Sequence, residues 1–238
     1  MPNLKLKSPY VGPAGQVSAQ FILTFADEFN GSALNTNAWD DSWSDARGLP
    51  NTAVEDGRLK IWPAPGADFS RHYKHLTTKG AFYQTYGYFE AEAKLPIGKG
   101  TWPAFWLYNN EFGPNWKPEM DIMEAYSGQV ADGRSSAELH PIAYDAVIWK
   151  GAPGDRAGFK RLKTPDLSAG FHTYGLKWEP DKQTYYFDGK AFFSIDVRMS
   201  DPEFIILSFQ FDGTSDGTTP TGKTNAYEVN YVRAWQLV

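Results

Sequence analysis

Pro118-Glu119-Met120-Asp121-Ile122-Met123-Glu124-Ala125 sets three acids within six residues, separated by large apolar side chains. A helix would scatter them, because at about 100° per residue positions five apart point to well-separated sides. An extended strand places Glu119 and Asp121 on one face and Met120 and Ile122 on the other. Strict alternation would then send Glu124 to the Met120 face, into the core, where a lone carboxylate is costly. One extra residue repairs the pattern. A β-bulge at about Ile122-Met123 lets two residues oppose one on the partner strand and returns Glu124 to the acidic face. The stretch reads as a bulged strand whose outer acids lie roughly 13 Å apart between Cα atoms at about 3.3 Å per residue.

The same period of two recurs on both sides of this strand. In Gly98-Lys99-Gly100-Thr101-Trp102-Pro103-Ala104-Phe105-Trp106-Leu107-Tyr108, alternation puts Trp102, Ala104, Trp106 and Tyr108 on one face. Pro103, Phe105 and Leu107 take the other, core-like face. Phe89, Ala91, Ala93 and Leu95 alternate with Tyr88, Glu90, Glu92 and Lys94, which predicts an apolar face and a wet face. In Ile205-Ile206-Leu207-Ser208-Phe209-Gln210-Phe211 the odd positions are apolar, and Ser208 and Gln210 are polar. Residues 174–178 and 183–187 flank the turn signal Glu179-Pro180-Asp181-Lys182, and Asp56-Gly57 and Asp188-Gly189 mark tight turns. Residues 227–237 read as a closing strand, and residues 63–75, 109–118 and 150–170 as long loops. Many short strands with regular turn signals predict an all-β, two-sheet sandwich. Residues 1–20 are an N-terminal arm, and residues 21–238 form one domain.

Composition narrows the function classes. The 238 residues contain no cysteine, so disulfides, thiolate metal sites and a thiol nucleophile are excluded. A net charge of −5 with dispersed acids lacks the basic stripe of a nucleic-acid binder. It also weighs against a heavily sulfated or uronic acid substrate. No apolar run reaches the length of a membrane span. Lys5 and Lys7 are followed by no apolar stretch, so the N-terminus does not read as a signal peptide. Aromatics make up 16% of the chain, with nine Trp. An aromatic β core explains most of them, but indoles also stack on the apolar faces of sugars.

Paired carboxyl groups suit glycosidic bond cleavage. One attacks the anomeric carbon and the other protonates the leaving oxygen, across a gap of about 5–5.5 Å in retaining enzymes. Neighbouring like charges push two such pKa values apart, which keeps one acid protonated near neutral pH. If the strand carrying Trp102 and Trp106 pairs with the acidic strand, the two indoles floor a cleft beside the carboxylates. The alternatives are an exposed acidic edge strand and two core Trp residues.

These segments together resemble glycoside hydrolase family 16, from about residue 21 to the C-terminus. Phe25-Ala26-Asp27-Glu28-Phe29-Asn30-Gly31 resembles its opening segment. Tyr86-Gly87-Tyr88-Phe89-Glu90-Ala91 and Gly100-Thr101-Trp102-Pro103-Ala104-Phe105-Trp106-Leu107 resemble its framework strands, as do Phe171-His172-Thr173-Tyr174 and Tyr231-Val232-Arg233. Glu119-Met120-Asp121-Ile122-Met123-Glu124 is similar to the bulged active-site motif of laminarinase-like, agarase and carrageenase members. The resemblance implies a jelly-roll β-sandwich, concanavalin-like, with an open substrate cleft on its concave sheet. It implies a retaining double displacement with Glu119 as nucleophile, Glu124 as acid/base and Asp121 as assistant.

The expected substrate-binding residues are Trp102, Trp106, Trp116 and His140. Trp116 could instead cap its loop, and His140 could be a satisfied core or surface histidine. Trp43, Arg47, Arg71, His72 and Trp149 are further candidates on or near the loops. No cofactor is expected. The resemblance implies a structural calcium near the N-terminal Glu, but Asn230 stands where many relatives have Asp, and an amide is the weaker ligand for a hard cation. Many relatives also have Arg where Glu92 stands. The partner expected is a polysaccharide, most naturally a β-1,3- or mixed-linkage β-glucan or a glucose-containing exopolysaccharide, with no nucleic acid, no membrane and a monomeric chain. Such polymers lie outside the cell, so the expected location is extracellular or periplasmic. The alternatives are a non-catalytic lectin-like module, which would tend to lose the paired acids, and a structural or adhesion module, which would lack polar cleft residues.

Overall fold

A computed structural model of the chain describes residues 12–43, 51–64, 73–127, 141–152, 154–211 and 219–238. These residues form two antiparallel sheets. The first sheet runs in the order β12 (Lys190–Ile195), β11 (Lys182–Phe187), β10 (His172–Glu179), β5 (Gly87–Lys94), β14 (Tyr227–Leu237), β3 (Arg58–Ile61) and β2 (Thr52–Glu55). β1 (Phe21–Asp27) also pairs with β14. The second sheet runs β4 (Tyr73–Thr77), β13 (Phe204–Phe211), β6 (Thr101–Tyr108), β7 (Glu119–Glu124), β8 (Ala143–Trp149) and β9 (Arg156–Lys163).

The alternating apolar residues meet between the sheets. Phe105, Leu107, Met120, Ile205, Leu207 and Phe209 pack from one side against Phe89, Ala91, Leu176, Val232 and Ala234 from the other. The expected hairpins form: Glu179 pairs with Lys182, Glu55 with Arg58 and Phe187 with Lys190. The last two close through Asp56-Gly57 (φ 54° and 69°) and Asp188-Gly189 (φ 47° and 70°). Both residues at left-handed φ give the two-residue turn whose twist matches the strands.

Three expectations fail. Residues 150–170 are not one long loop, because they contain β9. This strand lies at the sheet edge with mostly exposed side chains, Arg-Ala-Gly-Phe-Lys-Arg-Leu-Lys, so it carries no apolar period to read. The stretch 63–75 likewise ends inside β4, while residues 65–72 lie outside the described residues. The second face of β5 is wet only toward Glu92 and Lys94, which are half-buried. Tyr88 is buried among Phe21, Tyr186 and Trp235, and Glu90 is 1% exposed. The arm covers it, with the Ala14 N–H donating to Glu90 Oε2 at 2.9 Å.

Beside Glu90 on this face, Arg233 donates through Nε and Nη2 to both oxygens of Glu28, at 2.7 and 2.9 Å. The guanidinium lies 3.8 Å from the Tyr231 ring centroid. Asn230 donates its side-chain amide to Glu92. The residues implied for a calcium site are thus committed elsewhere: the Glu28 carboxylate faces a guanidinium, and the Asn230 amide presents nitrogen to Glu92. That donor set does not fit a calcium ion.

Candidate active site

The site begins with the bulge. Trp106 pairs with Asp121 and Phe105 with Met123, so Ile122 is the extra residue in β7. Toward β8, Asp121 pairs with Val147 and Glu124 with Asp145, again across an irregularity. Ile122 and Met123 both enter the core. Glu119, Asp121 and Glu124 therefore share the opposite face, as alternation with one insertion requires.

On that face β6 supplies Tyr108 opposite Glu119, Trp106 opposite Asp121 and Ala104 opposite Glu124. A cleft of about 160 Å³ is lined by all three acids with Trp102, Ala104, Trp106, His75, Ser208 and Gln210. Asp121 and Glu124 are buried, and Glu119 is half-buried. Ala104 is the small floor between two flanking indoles, which leaves room for a ring to approach the carboxylates.

The indoles are oriented by hydrogen bonds. Trp102 Nε1 donates to Glu124 Oε1 at 3.1 Å, and Trp106 Nε1 donates to Ser208 Oγ at 3.0 Å. Trp102 also packs on Tyr126, whose hydroxyl donates to Asp145 Oδ2 at 3.1 Å. Arg161 binds Asp145 through two donors at 2.9 and 3.1 Å. Asp145 is thus neutralised beside Glu124. The Tyr108 hydroxyl has its pKa pushed up to about 12 by burial and by the charge of Glu119, so it remains a phenol at working pH. Burial lowers the His75 pKa to about 3, so its imidazole is neutral. Glu203, at the foot of β13, is fully buried; burial and then the charges of Glu119 and Asp201 raise its pKa well above the carboxylate range.

Of the sequence-predicted residues, Glu119, Asp121, Glu124, Trp102 and Trp106 come together. Trp116 is not among the residues that line this cavity of about 160 Å³. It is 40% exposed, donates from Nε1 to Asp201 Oδ2 at 2.8 Å, and lies so close to Gly151 that a Cβ there would meet its ring at 2.8 Å. His140, Arg47, Arg71 and His72 lie outside the described residues. Trp43 packs on Tyr108 and Phe204, and Trp149 pairs with Glu119 from β8. Sequence reasoning missed His75, Ser208, Gln210 and Asp145 as site residues. The polar positions in β13 were a visible signal; His75 fell in a stretch read as loop.

Residues 57–233 match the family model described as glycosyl hydrolases family 16. Among curated relatives, the endo-1,3-1,4-beta-glycanase ExsH of Rhizobium meliloti is 29% identical over 254 residues, covering 90% of this chain and 51% of its own. A glucan endo-1,3-beta-glucosidase of Cryptopygus antarcticus is 30% identical over 259 residues, covering 90% of this chain and 92% of its own. The chain thus spans about half the length of the first of these. Among solved structures, the endo-beta-1,3-glucanase from Pyrococcus furiosus aligns with a TM-score of 0.71 at 27% identity, covering 92% of this chain and 95% of that one. The all-β two-sheet sandwich expected from the sequence is the jelly-roll fold of these structures.

Proposed function

The chain belongs to glycosyl hydrolase family 16, and from that premise we propose that it is an endo-acting, retaining β-glucanase with Glu119 as nucleophile and Glu124 as acid/base. Its substrate is a β-1,3- or mixed-linkage glucan, or a glucose-containing exopolysaccharide, met outside the cell or in the periplasm. The observation that carries this reading is the bulged strand itself, which delivers three carboxyl groups to one cleft between two indoles.

In this mechanism the sugar ring stacks over Ala104, between Trp102 and Trp106. Glu119 attacks the anomeric carbon while Glu124 protonates the departing glycosidic oxygen, giving a covalent glycosyl-enzyme. Glu124, now a carboxylate, takes a proton from water, which releases the sugar with its anomeric configuration retained. The Trp102 N–H, donating to Glu124 Oε1, holds that carboxyl group in place. Asp121, between the two, holds or shares a proton with the nucleophile and orients it.

The test is a reducing-end assay on laminarin, barley mixed-linkage glucan, agarose, carrageenan, xyloglucan and a succinoglycan-type exopolymer. Turnover of a β-glucan is expected. Glu119→Gln should abolish it, and Glu124→Gln should lower it by about 10²–10⁴-fold. Full activity in Glu119→Gln would remove the assignment. Binding of one polymer with no turnover by the native chain would favour a lectin-like module instead.

A further inference from the structure

The cross-strand row that holds Glu119 continues to the edge of its sheet. Tyr108 pairs with Glu119, Glu119 with Trp149 of β8, and Trp149 with Arg156 of β9, so these side chains share the cleft face. Further along β9, Phe159 pairs with Val147 and Arg161 with Asp145, which sets a ring and two guanidinium groups on that face. The Arg156 guanidinium lies over the Trp149 ring at 5.8 Å and over the Phe159 ring at 5.7 Å. Arg161 also lies over Phe159, at 5.7 Å, but binds Asp145 through two donors. Arg156 is exposed, and among the described residues no carboxylate pairs with it; the adjacent Asp155 pairs with Lys150 at 3.6 Å.

This strand concentrates positive charge in a chain whose net charge is −5. Arg156, Lys160, Arg161 and Lys163 fall within eight residues that include no acid. Charge on an edge strand discourages pairing with other chains, and Lys160, which pairs with the core-facing Ala146, serves that end. That role does not call for Phe159 to stand 43% exposed with two guanidinium groups over its ring. A guanidinium over aromatic faces keeps its in-plane N–H groups to donate, and these form the fork that binds a carboxylate through two parallel hydrogen bonds. Arg156 stands two strands from Glu119, roughly 10 Å across the sheet at about 4.8 Å per strand. The group it meets therefore belongs to a sugar unit beside the one over Ala104, or to a substituent on that unit.

We propose that Arg156, seated over Trp149 and Phe159, is a subsite for a carboxylate carried by the polysaccharide, on the β8–β9 side of the cleft. This rests on the β-glucanase reading and narrows its substrate to a glucose-containing polymer with acidic units or acidic substituents. The chain's negative net charge does not oppose it, because the cations are gathered on the one strand that borders the cleft face.

The experiment is calorimetric binding to Glu119→Gln. Three ligands are compared: a neutral β-gluco-oligosaccharide, the same sugar oxidised at C6 to uronate units, and the same sugar carrying dicarboxylic half-esters. At least one carboxylated form should bind about fivefold more tightly than the neutral sugar, ~1 kcal/mol, the upper range for an exposed ion pair. Which form gains tells a uronate unit from a substituent. Adding Arg156→Met should bring the ratio of the two affinities to about one. Adding Lys160→Met instead removes a charge from the other face of the same strand and should leave the ratio in place. No gain with either carboxylated sugar, a gain that survives Arg156→Met, or one lost equally in Lys160→Met overturns the subsite, while turnover of neutral glucan by the native chain keeps the β-glucanase reading. No turnover of neutral or carboxylated glucan by the native chain sinks that reading, and this one with it.

Discussion

Glu90 is a carboxyl group on the outer face of β5, 1% exposed, beneath the N-terminal arm. Burial pushes its pKa up to about 7, although the Ala14 N–H and the Tyr231 hydroxyl, each 2.9 Å away, and then the Arg233 guanidinium hold it down; Glu92 raises it a little. Glu28 faces the same guanidinium and binds it in two places. The folded pKa lies above the unfolded one, so the folded chain holds a proton that the unfolded chain has released. Stability from this group is therefore present at low pH and lost as pH rises from about 4.5 through 7. A gap of about 2.5 pH units at about 1.4 kcal/mol per unit makes that loss about 3 kcal/mol, of which about 2–3 kcal/mol falls between pH 5 and pH 9. Glu90→Gln removes the titration. It also turns an acceptor away from the Ala14 N–H, a cost of about 1–3 kcal/mol that does not depend on pH. That cost offsets the variant equally at every pH, so the change with pH isolates the titration. Urea unfolding of both proteins at pH 5 and pH 9 should show the variant gaining about 2–3 kcal/mol relative to the native chain at the higher pH, with equal m-values. Parallel pH profiles would refute the reasoning.

Three further outcomes follow from the same contacts. Trp102→Phe keeps a ring over the cleft but loses the N–H to Glu124, so kcat should fall about tenfold in steady-state assays, as loss of one charge-assisted hydrogen bond predicts. Arg233→Met leaves Glu28 buried without its guanidinium and should cost about 3–5 kcal/mol in urea unfolding, whereas Glu28→Leu with Arg233→Met should cost clearly less. Glu203→Gln should stabilise the fold at pH 8 and lose that advantage toward pH 4, because its raised folded pKa makes the native residue's contribution fade as pH rises above the ordinary carboxylate value; thermal melts across that range check the slope.

Residues that reveal themselves through their own strand were legible before any coordinates. Glu124 is the strongest case, since the cost of a core carboxylate forces an extra residue near Ile122, and Ile122 is where the register shifts. The two-residue turns at Asp56-Gly57 and Asp188-Gly189 were legible for the same local reason. Alternation assigns a side chain to a face, but it does not say what lies across that face. The polar side of β5 looked wet because nothing local announces that Ala14, 76 residues away, lies against Glu90. Ser208 and Gln210 were read as the polar positions of their strand, yet their place beside Ala104 and Trp102 depends on β13 pairing with β6, a contact spanning about a hundred residues. His75 needed one more pairing beyond that, to the edge strand β4. The three cleft acids all belong to one strand, so chain order could find them. The opposite side of the cleft is assembled from strands distant in sequence, so its chemistry becomes readable only once the register is known. The three acids sit within one octapeptide and can be read from it alone, whereas the other side of the cleft depends on register and cannot.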